Sequence, residues 1–122
     1  MRPTPSQKKI LYALIHKIIE LRDKKCLRCG KPDFQMSHIY PKGRYRSMEF
    51  DPDNIKALCF SCHLGWWHKN PMEARDWLVT VIPRERLARL KLMSQTSGAK
   101  FDYKLQRLFL EQELKRYETI KR

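Results

Sequence analysis

Four cysteines in two matched pairs are the residues of this chain with the clearest capacity for chemistry. Cys26 and Cys29 form one C-x-x-C motif, and Cys59 and Cys62 form a second. Thiolates at this spacing can place two sulfur atoms on one tetrahedral ion, because a tight turn directs both side chains inward. We therefore predict a structural zinc ion. The alternatives are an iron–sulfur cluster on the same thiolates, or unrelated free or redox-active thiols.

A second group of polar residues lies between and just after the cysteine pairs. His38 follows Ser37 in the first stretch, Asn54 precedes the second pair, and His63 comes directly after it. An imidazole with a pKa near 6.5 is mostly neutral at pH 7, so it can act as a general base or as a metal ligand. The alternatives are that the histidines are buried hydrogen-bonding groups and that Asn54 is a turn residue.

The charge balance of the chain indicates a polyanionic partner. Its 122 residues include 26 Lys and Arg against 13 Asp and Glu, a formal net charge of +13. Such an excess repels itself in a compact state, so we expect DNA as the partner ahead of an anionic membrane surface. No stretch reaches the roughly 18 apolar residues of a spanning helix, and the N-terminus lacks the apolar run of a secretory signal. We expect a cytoplasmic protein with no membrane partner.

Hydrophobic periodicity predicts helices on both sides of the cysteine pairs. Residues 6–25 place apolar side chains at helical spacing, with Ser6 as the N-cap, and the last third of the chain shows two charged amphipathic helices joined by SQTSGAK. Between these helices, turn-forming residues separate two predicted strands, Phe34–Ile39 and Ile55–Leu58. A further helix is predicted to start near Cys62.

These elements predict an α+β fold in three parts within a single compact domain. The parts are an N-terminal amphipathic helix over residues 1–25, a zinc-stapled core over 26–80 and a charged helical extension over 81–122. The core resembles the HNH endonucleases, which share the order histidine, asparagine, histidine on a hairpin followed by a helix. The run SHIYPKGRYRSMEFDPDNIKALCFSCH is also similar to the phage recombination nucleases of the NinG/Rap type.

The resemblance implies a role for each matching residue. His38 is implied to be the general base, Asn54 to brace the loop that holds it, and His63 to bind a catalytic divalent ion. The family often has Asp or a second His directly before the base, where this chain has Ser37, a poor ligand. His68 is our candidate for the missing ligand, since a helix can set it about one turn from His63, although five residues is a looser spacing than four. Asn70 is the second choice.

The predicted function is metal-dependent cleavage of DNA. The ion is expected to be Mg²⁺ or Mn²⁺, with Ni²⁺ or Zn²⁺ as alternatives, in a nuclease or nickase of phage or mobile-element type with little sequence specificity. The runner-up is a non-catalytic zinc-dependent DNA-binding module. A third alternative is an assembly factor in which the C-terminal helices bind a phage protein or form a homodimer through Leu105, Leu108, Phe109 and Leu114. The predicted phosphate contacts are Lys42, Arg44, Arg46 and Lys69.

Overall fold

A computed structural model describes residues 2–96 and 100–120 of the chain. The predicted α+β class is confirmed: the described residues form a two-stranded sheet and five helices. Short 3₁₀ turns lie at Arg46–Met48 and Pro52–Asn54, and a π-helical turn at His63–Trp67. The main elements are, in chain order, α1 (Pro5–Arg22), β1 (Gln35–His38), β2 (Ile55–Leu58), α2 (Phe60–Cys62), α3 (Pro71–Val81), α4 (Arg84–Ser94) and α5 (Tyr103–Ile120).

Helix α1 has its N-cap two residues earlier than the sequence analysis predicted. The N-cap is Thr4 and not Ser6, because the Thr4 hydroxyl accepts a hydrogen bond from the Gln7 amide at 3.2 Å. The Gln7 side chain accepts one from the Thr4 amide at 3.0 Å in return. This capping box leaves Ser6 inside the first turn, where Pro5 at the first helical position needs no donor partner.

The region after the second cysteine pair also differs from its prediction. Its helix begins at Phe60, and a separate helix, α3, begins at Pro71 after the π-helical turn. Proline is favoured at the first helical position because its fixed φ suits a helix and the missing N–H is not needed there. The predicted linker before α5 includes residues 97–99, which lie outside the described residues, as do residues 121 and 122.

The hairpin brings the two halves of the central region together. Strands β1 and β2 are antiparallel, with Ser37 opposite Lys56 and His38 opposite Ile55. Every residue of β2 is buried, because α1 and α5 cover one face of the hairpin and the cysteine segments cover the other. The main core cluster contains Leu11, Ile15, Ile18, Ile19, Phe50, Ile55, Ala57 and Leu110.

Arginines of the flanking helices bind the backbone at the start of β2. Arg22 of α1 and Arg86 of α4 both donate to the carbonyl of Ile55, the second at 3.0 Å. Asp23 accepts from the amide of Ala57 at 3.0 Å, so the same strand is held by an acid from the end of α1. Burial lowers the pKa of Arg86 to about 10, which still leaves its guanidinium charged at neutral pH. The flanking helices therefore fix the strand that leads into the second cysteine pair.

The outer face of α5 is partly apolar. Leu105, Leu108 and Phe109 are exposed, whereas Leu114 packs against the main core cluster. Three of the four residues predicted to bind a partner are thus at the surface. Within residues 2–96 and 100–120, none of the helices combines the length and the apolar character needed to cross a membrane.

Candidate metal and catalytic sites

The two C-x-x-C motifs converge on one point beside the hairpin. The sulfur atoms of Cys26, Cys29, Cys59 and Cys62 all lie within 4.8 Å of one another, and none forms a disulfide. A tetrahedral zinc with bonds of about 2.3 Å separates its sulfurs by about 3.8 Å, which this cluster matches. A backbone hydrogen bond closes the turn of the first C-x-x-C motif: the Gly30 amide donates to the Cys26 carbonyl at 2.9 Å. Gly30 has a positive φ, which glycine tolerates. The four cysteines are positioned to bind a metal ion.

The protonation chemistry of the cluster also fits a dication. Burial raises the pKa of Cys26, but backbone amides that hydrogen-bond its sulfur outweigh burial and lower the value to about 6. Burial and the neighbouring thiols act together on Cys62 and raise its pKa to about 12. Four crowded thiols cannot all ionise unaided, because each thiolate disfavours the next. A bound Zn²⁺ would reduce that conflict, because its two positive charges would offset part of the charge of the thiolates.

Three histidines line a groove of about 1180 Å³ next to the hairpin. His38 comes from the end of β1, and His63 and His68 come from the two ends of the π-helical turn. The loop 39–45 forms one side of the groove and helices α3 and α4 form the other. The structure thus brings His38 together with His63 and His68, which are far from it in sequence.

The π-helical turn explains how two histidines five residues apart can act together. The His68 amide donates to the His63 carbonyl at 3.2 Å, the i to i+5 bond that defines this turn. The wider turn brings the two imidazoles together, with ring centres 4.7 Å apart, ring planes tilted by 43° and Nε2 atoms 3.0 Å apart. In an α-helix the same spacing would rotate the second ring away from the first. A single cation could therefore reach both Nε2 atoms when the proton of His68 is on Nδ1.

Gln35 orients the first imidazole of this pair. Its side-chain oxygen lies 2.8 Å from Nδ1 of His63, and an amide oxygen can only accept, so Nδ1 carries the proton and Nε2 keeps its lone pair. Burial and the nearby charges of His68, Lys56 and His38 lower the pKa of His63 to about 4. The ring is therefore neutral at neutral pH, the form that binds metals.

His38 is fixed in the complementary way. Its Nε2 lies 2.9 Å from the backbone carbonyl of Glu49, so Nε2 carries the proton and Nδ1 is left as the acceptor. Burial lowers the pKa of His38 below 6.5, an effect that the Glu49 carbonyl partly opposes. The Glu49 carboxylate accepts from the Tyr12 hydroxyl at 2.6 Å, and the Tyr12 ring meets the His38 ring edge-on.

Asn54 is fully buried at the base of the loop that follows β1. Its side-chain oxygen accepts from the Tyr40 amide at 2.8 Å, and its nitrogen donates to the carbonyls of Tyr40 and Met48 at 3.0 and 3.1 Å. An amide side chain is suited to this place because it offers a donor and an acceptor to the backbone at once. These bonds tie both ends of the segment that carries Lys42 and Arg44.

Ser37 and Lys56 form a buried pair next to His38. The Lys56 amino group donates to the Ser37 hydroxyl at 3.0 Å and lies 3.3 Å from the centre of the Trp67 ring. Burial and the charge of Arg86 lower the pKa of Lys56 to about 6. The hydroxyl that stands where the family often has a metal ligand is therefore already bound to a lysine.

The predicted phosphate-binding residues divide between the groove and the outside. Lys42 and Arg44 line the groove, while Arg46 and Lys69 are exposed but are not part of its lining. Asn70, the second-choice ligand, precedes α3 and donates to the Trp66 carbonyl, again away from the groove. No aspartate or glutamate among the described residues lines the groove.

Three residues at the site were not predicted from the sequence. They are Gln35, Lys56 and Arg75, a basic residue that α3 adds to the groove. Strand alternation carried a signal for Gln35, because residues 35 and 37 share a face of β1. No sequence signal indicated that Lys56 is buried, because a lysine in an otherwise apolar strand normally keeps its charge in water.

Comparison with protein-family models gives a match in the central region of the chain. Residues 26–65, about a third of the chain, match the family model described as HNH endonuclease. The match contains all four cysteines and the positions of His38, Asn54 and His63, and it ends before His68. Neither the curated proteins nor the solved structures gave a match. The family match indicates a nuclease and agrees with the predicted likeness of the central region.

Proposed function

We propose that this chain is a metal-dependent DNA endonuclease or nickase. The observation that carries the proposal is the convergence of His38 with the His63–His68 pair on one groove, with His38 and His63 each held in a defined tautomer. A general base and imidazole donors to a divalent ion are groups that can hydrolyse a phosphodiester. The HNH match over residues 26–65 supports the same class of reaction.

In this proposal His38 is the general base. Its Nε2–H is held by the Glu49 carbonyl, so Nδ1 accepts the proton of the water that attacks phosphorus. Because its pKa lies below 6.5, the ring is unprotonated at neutral pH. Tyr12 and Asn54 position this base indirectly, the first through Glu49 and the second through the loop backbone. Breaking of the bond to the 3′ oxygen leaves a 5′-phosphate and a 3′-hydroxyl.

His63 and His68 are the residues proposed to hold the divalent ion. A bound ion would supply positive charge to the phosphoryl oxygen and to the departing 3′ oxygen. The two imidazoles are not accompanied by a carboxylate on the described lining of the groove, and Ser37 is engaged by Lys56. Imidazole donors suit Zn²⁺ and Ni²⁺ better than Mg²⁺ and Mn²⁺, which prefer oxygen ligands. We therefore expect Zn²⁺ and Ni²⁺ to support higher activity than Mg²⁺.

Lys42 and Arg44 are proposed to hold the phosphate backbone beside the histidines. Both line the groove, and Asn54 fixes the loop that presents them. Arg46 and Lys69 extend the basic surface outside it. Contacts to phosphates position DNA without reading its sequence, so little sequence specificity is expected. An origin in a phage or mobile element, with a role in recombination, is part of the proposal and rests on the sequence resemblance alone.

A plasmid-nicking assay tests the proposal. Wild type, His38→Ala and His16→Ala are compared with Mn²⁺, Ni²⁺, Zn²⁺ and Mg²⁺. His16 is a matched control, because it stacks on Phe34 outside the groove. We expect His38→Ala to lose about 10²- to 10⁴-fold in rate, the range for a general base, and His16→Ala to cut like wild type. Equal rates for all three proteins would remove His38 as the base.

A second candidate is a zinc-dependent DNA-binding module without catalysis. The Ser37–Lys56 hydrogen bond favours it, because it occupies the position where the family often has a metal ligand. This candidate takes precedence if the zinc-loaded protein binds DNA but cuts no linear, nicked, flap or four-way substrate with any of the four ions.

A further inference from the structure

The groove that contains the histidines has a wall that phosphate binding does not explain. Its surface is mostly apolar on the side of helices α3 and α4, which contribute Pro71, Ala74, Leu78, Val79 and Leu87. Val79 is 62% exposed, so this wall is open to a ligand and is not only the edge of the core. The groove of about 1180 Å³ also exceeds the roughly 300–1,000 Å³ typical of small-molecule sites.

Basic side chains border the apolar wall. Lys42 and Arg44 stand on the loop side, and Arg75 and Lys91 stand on the helix side. None of the four forms an ion pair with any residue in the described ranges 2–96 and 100–120. Their charges are therefore free to meet an anionic ligand.

Aromatic rings complete the loop side of the groove. Tyr40 and Tyr45 pack edge to face with ring centres 5.1 Å apart, and both line the groove together with Trp67. Aromatic and apolar surface bordered by unpaired cations is the arrangement that binds single-stranded nucleic acid, in which bases lie on the apolar surface and phosphates on the cations. A duplex hides its base faces in its own stack and presents mainly phosphate and sugar.

We propose that the groove binds an unpaired strand of DNA, such as a single strand or the arm of a flap. Phosphates contact Lys42, Arg44, Arg75 and Lys91, and unstacked bases contact the wall that includes Val79 and Leu87. The bound strand would be the substrate of the proposed nuclease, and only its cleavage depends on that proposed function. Binding itself requires neither the base nor a catalytic ion.

Fluorescence anisotropy with the full-length, zinc-loaded protein tests the proposal. The probes are a labelled oligothymidine and a duplex of equal length at the same salt concentration, without added catalytic ion. The test variant is Val79→Ser. The matched control is Val81→Ser, because Val81 is on the same helix, is 38% exposed and does not line the groove. Circular dichroism checks that both variants keep the wild-type fold.

We expect wild type to bind the oligothymidine more tightly than the duplex. Val79→Ser should weaken binding of the single strand about five- to tenfold, the loss expected for one apolar contact, and leave duplex binding unchanged. Val81→Ser should bind both probes like wild type. Equal affinity for both probes, or equal effects of the two substitutions, overturns the proposal.

The outcome is separate from that of the proposed nuclease function. If single-strand preference and the Val79 effect are observed but no substrate is cut, the nuclease proposal fails and the assignment of the groove stands. If DNA is cut but neither preference nor Val79 effect is found, the assignment of the groove fails and the nuclease proposal stands.

Discussion

Residues 59–68 contribute to both the cysteine cluster and the histidine groove. The cluster and the groove differ in the number of side-chain donor atoms and in the exposure of those side chains. At the start of this segment, two thiols join Cys26 and Cys29 in a cluster of which three members are at most 4% exposed. At its end, the two imidazoles of the π-helical turn face a wide groove, and His68 is exposed. Cys62 belongs to the first site and His63 to the second, so the two environments begin at adjacent residues.

Under the proposed function, the difference between the cysteine cluster and the histidine groove is the general one between structural and catalytic metal centres. Four protein donors complete the coordination of a tetrahedral ion and leave no position for water or substrate. Two donors in an open groove leave several positions free. Since one short segment carries donors to both sites, an ion in the cysteine cluster would also fix the start of the turn that pairs the histidines. The comparison predicts that the first site governs folding and the second governs rate.

Loss of a cysteine should have the largest effect. We expect Cys59→Ser to lose its zinc and to leave the central region unfolded, because a structural zinc contributes about 10–16 kcal/mol against a total stability of about 5–15 kcal/mol. Metal analysis and near-ultraviolet circular dichroism measure this, since Trp66 and Trp77 pack together beside the cluster. Ser61→Ala, an exposed change between the two cysteines, is the control. Retention of one zinc and of the wild-type melting temperature by Cys59→Ser would contradict the structural assignment.

Removal of an imidazole should leave the fold intact and change the metal requirement. We expect His68→Ala to keep its zinc and its melting temperature, and to need more than about 100-fold more divalent ion for half-maximal cleavage, because it loses one of two proposed donors. The measurement is the cleavage rate as a function of Mn²⁺ or Ni²⁺ concentration. His16→Ala serves again as the histidine control. If His68→Ala has the wild-type metal dependence, the π-helical turn does not build a metal site.

Much of the first site could be predicted from the sequence because its information is local. Two C-x-x-C pairs specify a tetrahedral donor set wherever the chain brings them together, and the hairpin strands between them follow from turn residues and β-branched positions. The strand prediction was right for β2 and one residue too long at each end for β1. The order of His38, Asn54 and His63 carried the likeness to the HNH family, which the match over residues 26–65 supports.

The second site depends on features that local patterns do not contain. The five-residue spacing of the histidines suits a π-helical turn, but sequence reasoning assumes the 3.6-residue period of an α-helix. Lys56 gave no signal either, because its burial depends on Ser37 across the hairpin and on the Trp67 ring that covers it. The α3 helix had a local signal, the Asn70-Pro71 step, which sequence analysis did not use.

Gln35 provides a finer test of the open site. Gln35→Met keeps the length of the side chain but removes the acceptor for Nδ1–H of His63. We expect about a tenfold increase in the metal concentration needed for half-maximal cleavage, with little change in the maximal rate, because outer hydrogen bonds orient a ligand without replacing it. Gln35→Glu keeps an acceptor and should restore the wild-type requirement. A packing role alone would predict the same result for both substitutions.

Lys56 is next to Ser37 and Trp67, and we expect it to act on stability alone, with no direct effect on cleavage. Its pKa of about 6 in the folded protein is below the ordinary value of 10.5, so the unfolded chain binds more protons between these limits. The free energy of unfolding should therefore rise with pH across this interval, by up to about 1.4 kcal/mol per pH unit from this group. Lys56→Met should reduce that slope in urea unfolding between about pH 7 and pH 9.

The control for this measurement is Lys9→Met, which replaces an exposed lysine of α1. Its unfolding free energy should follow the wild-type dependence on pH, because a solvated ammonium has no burial penalty to lose. Subtracting this control isolates the contribution of Lys56 from those of the cysteines and the N-terminus. If Lys56→Met also matches wild type, the amino group is hydrated or paired in solution.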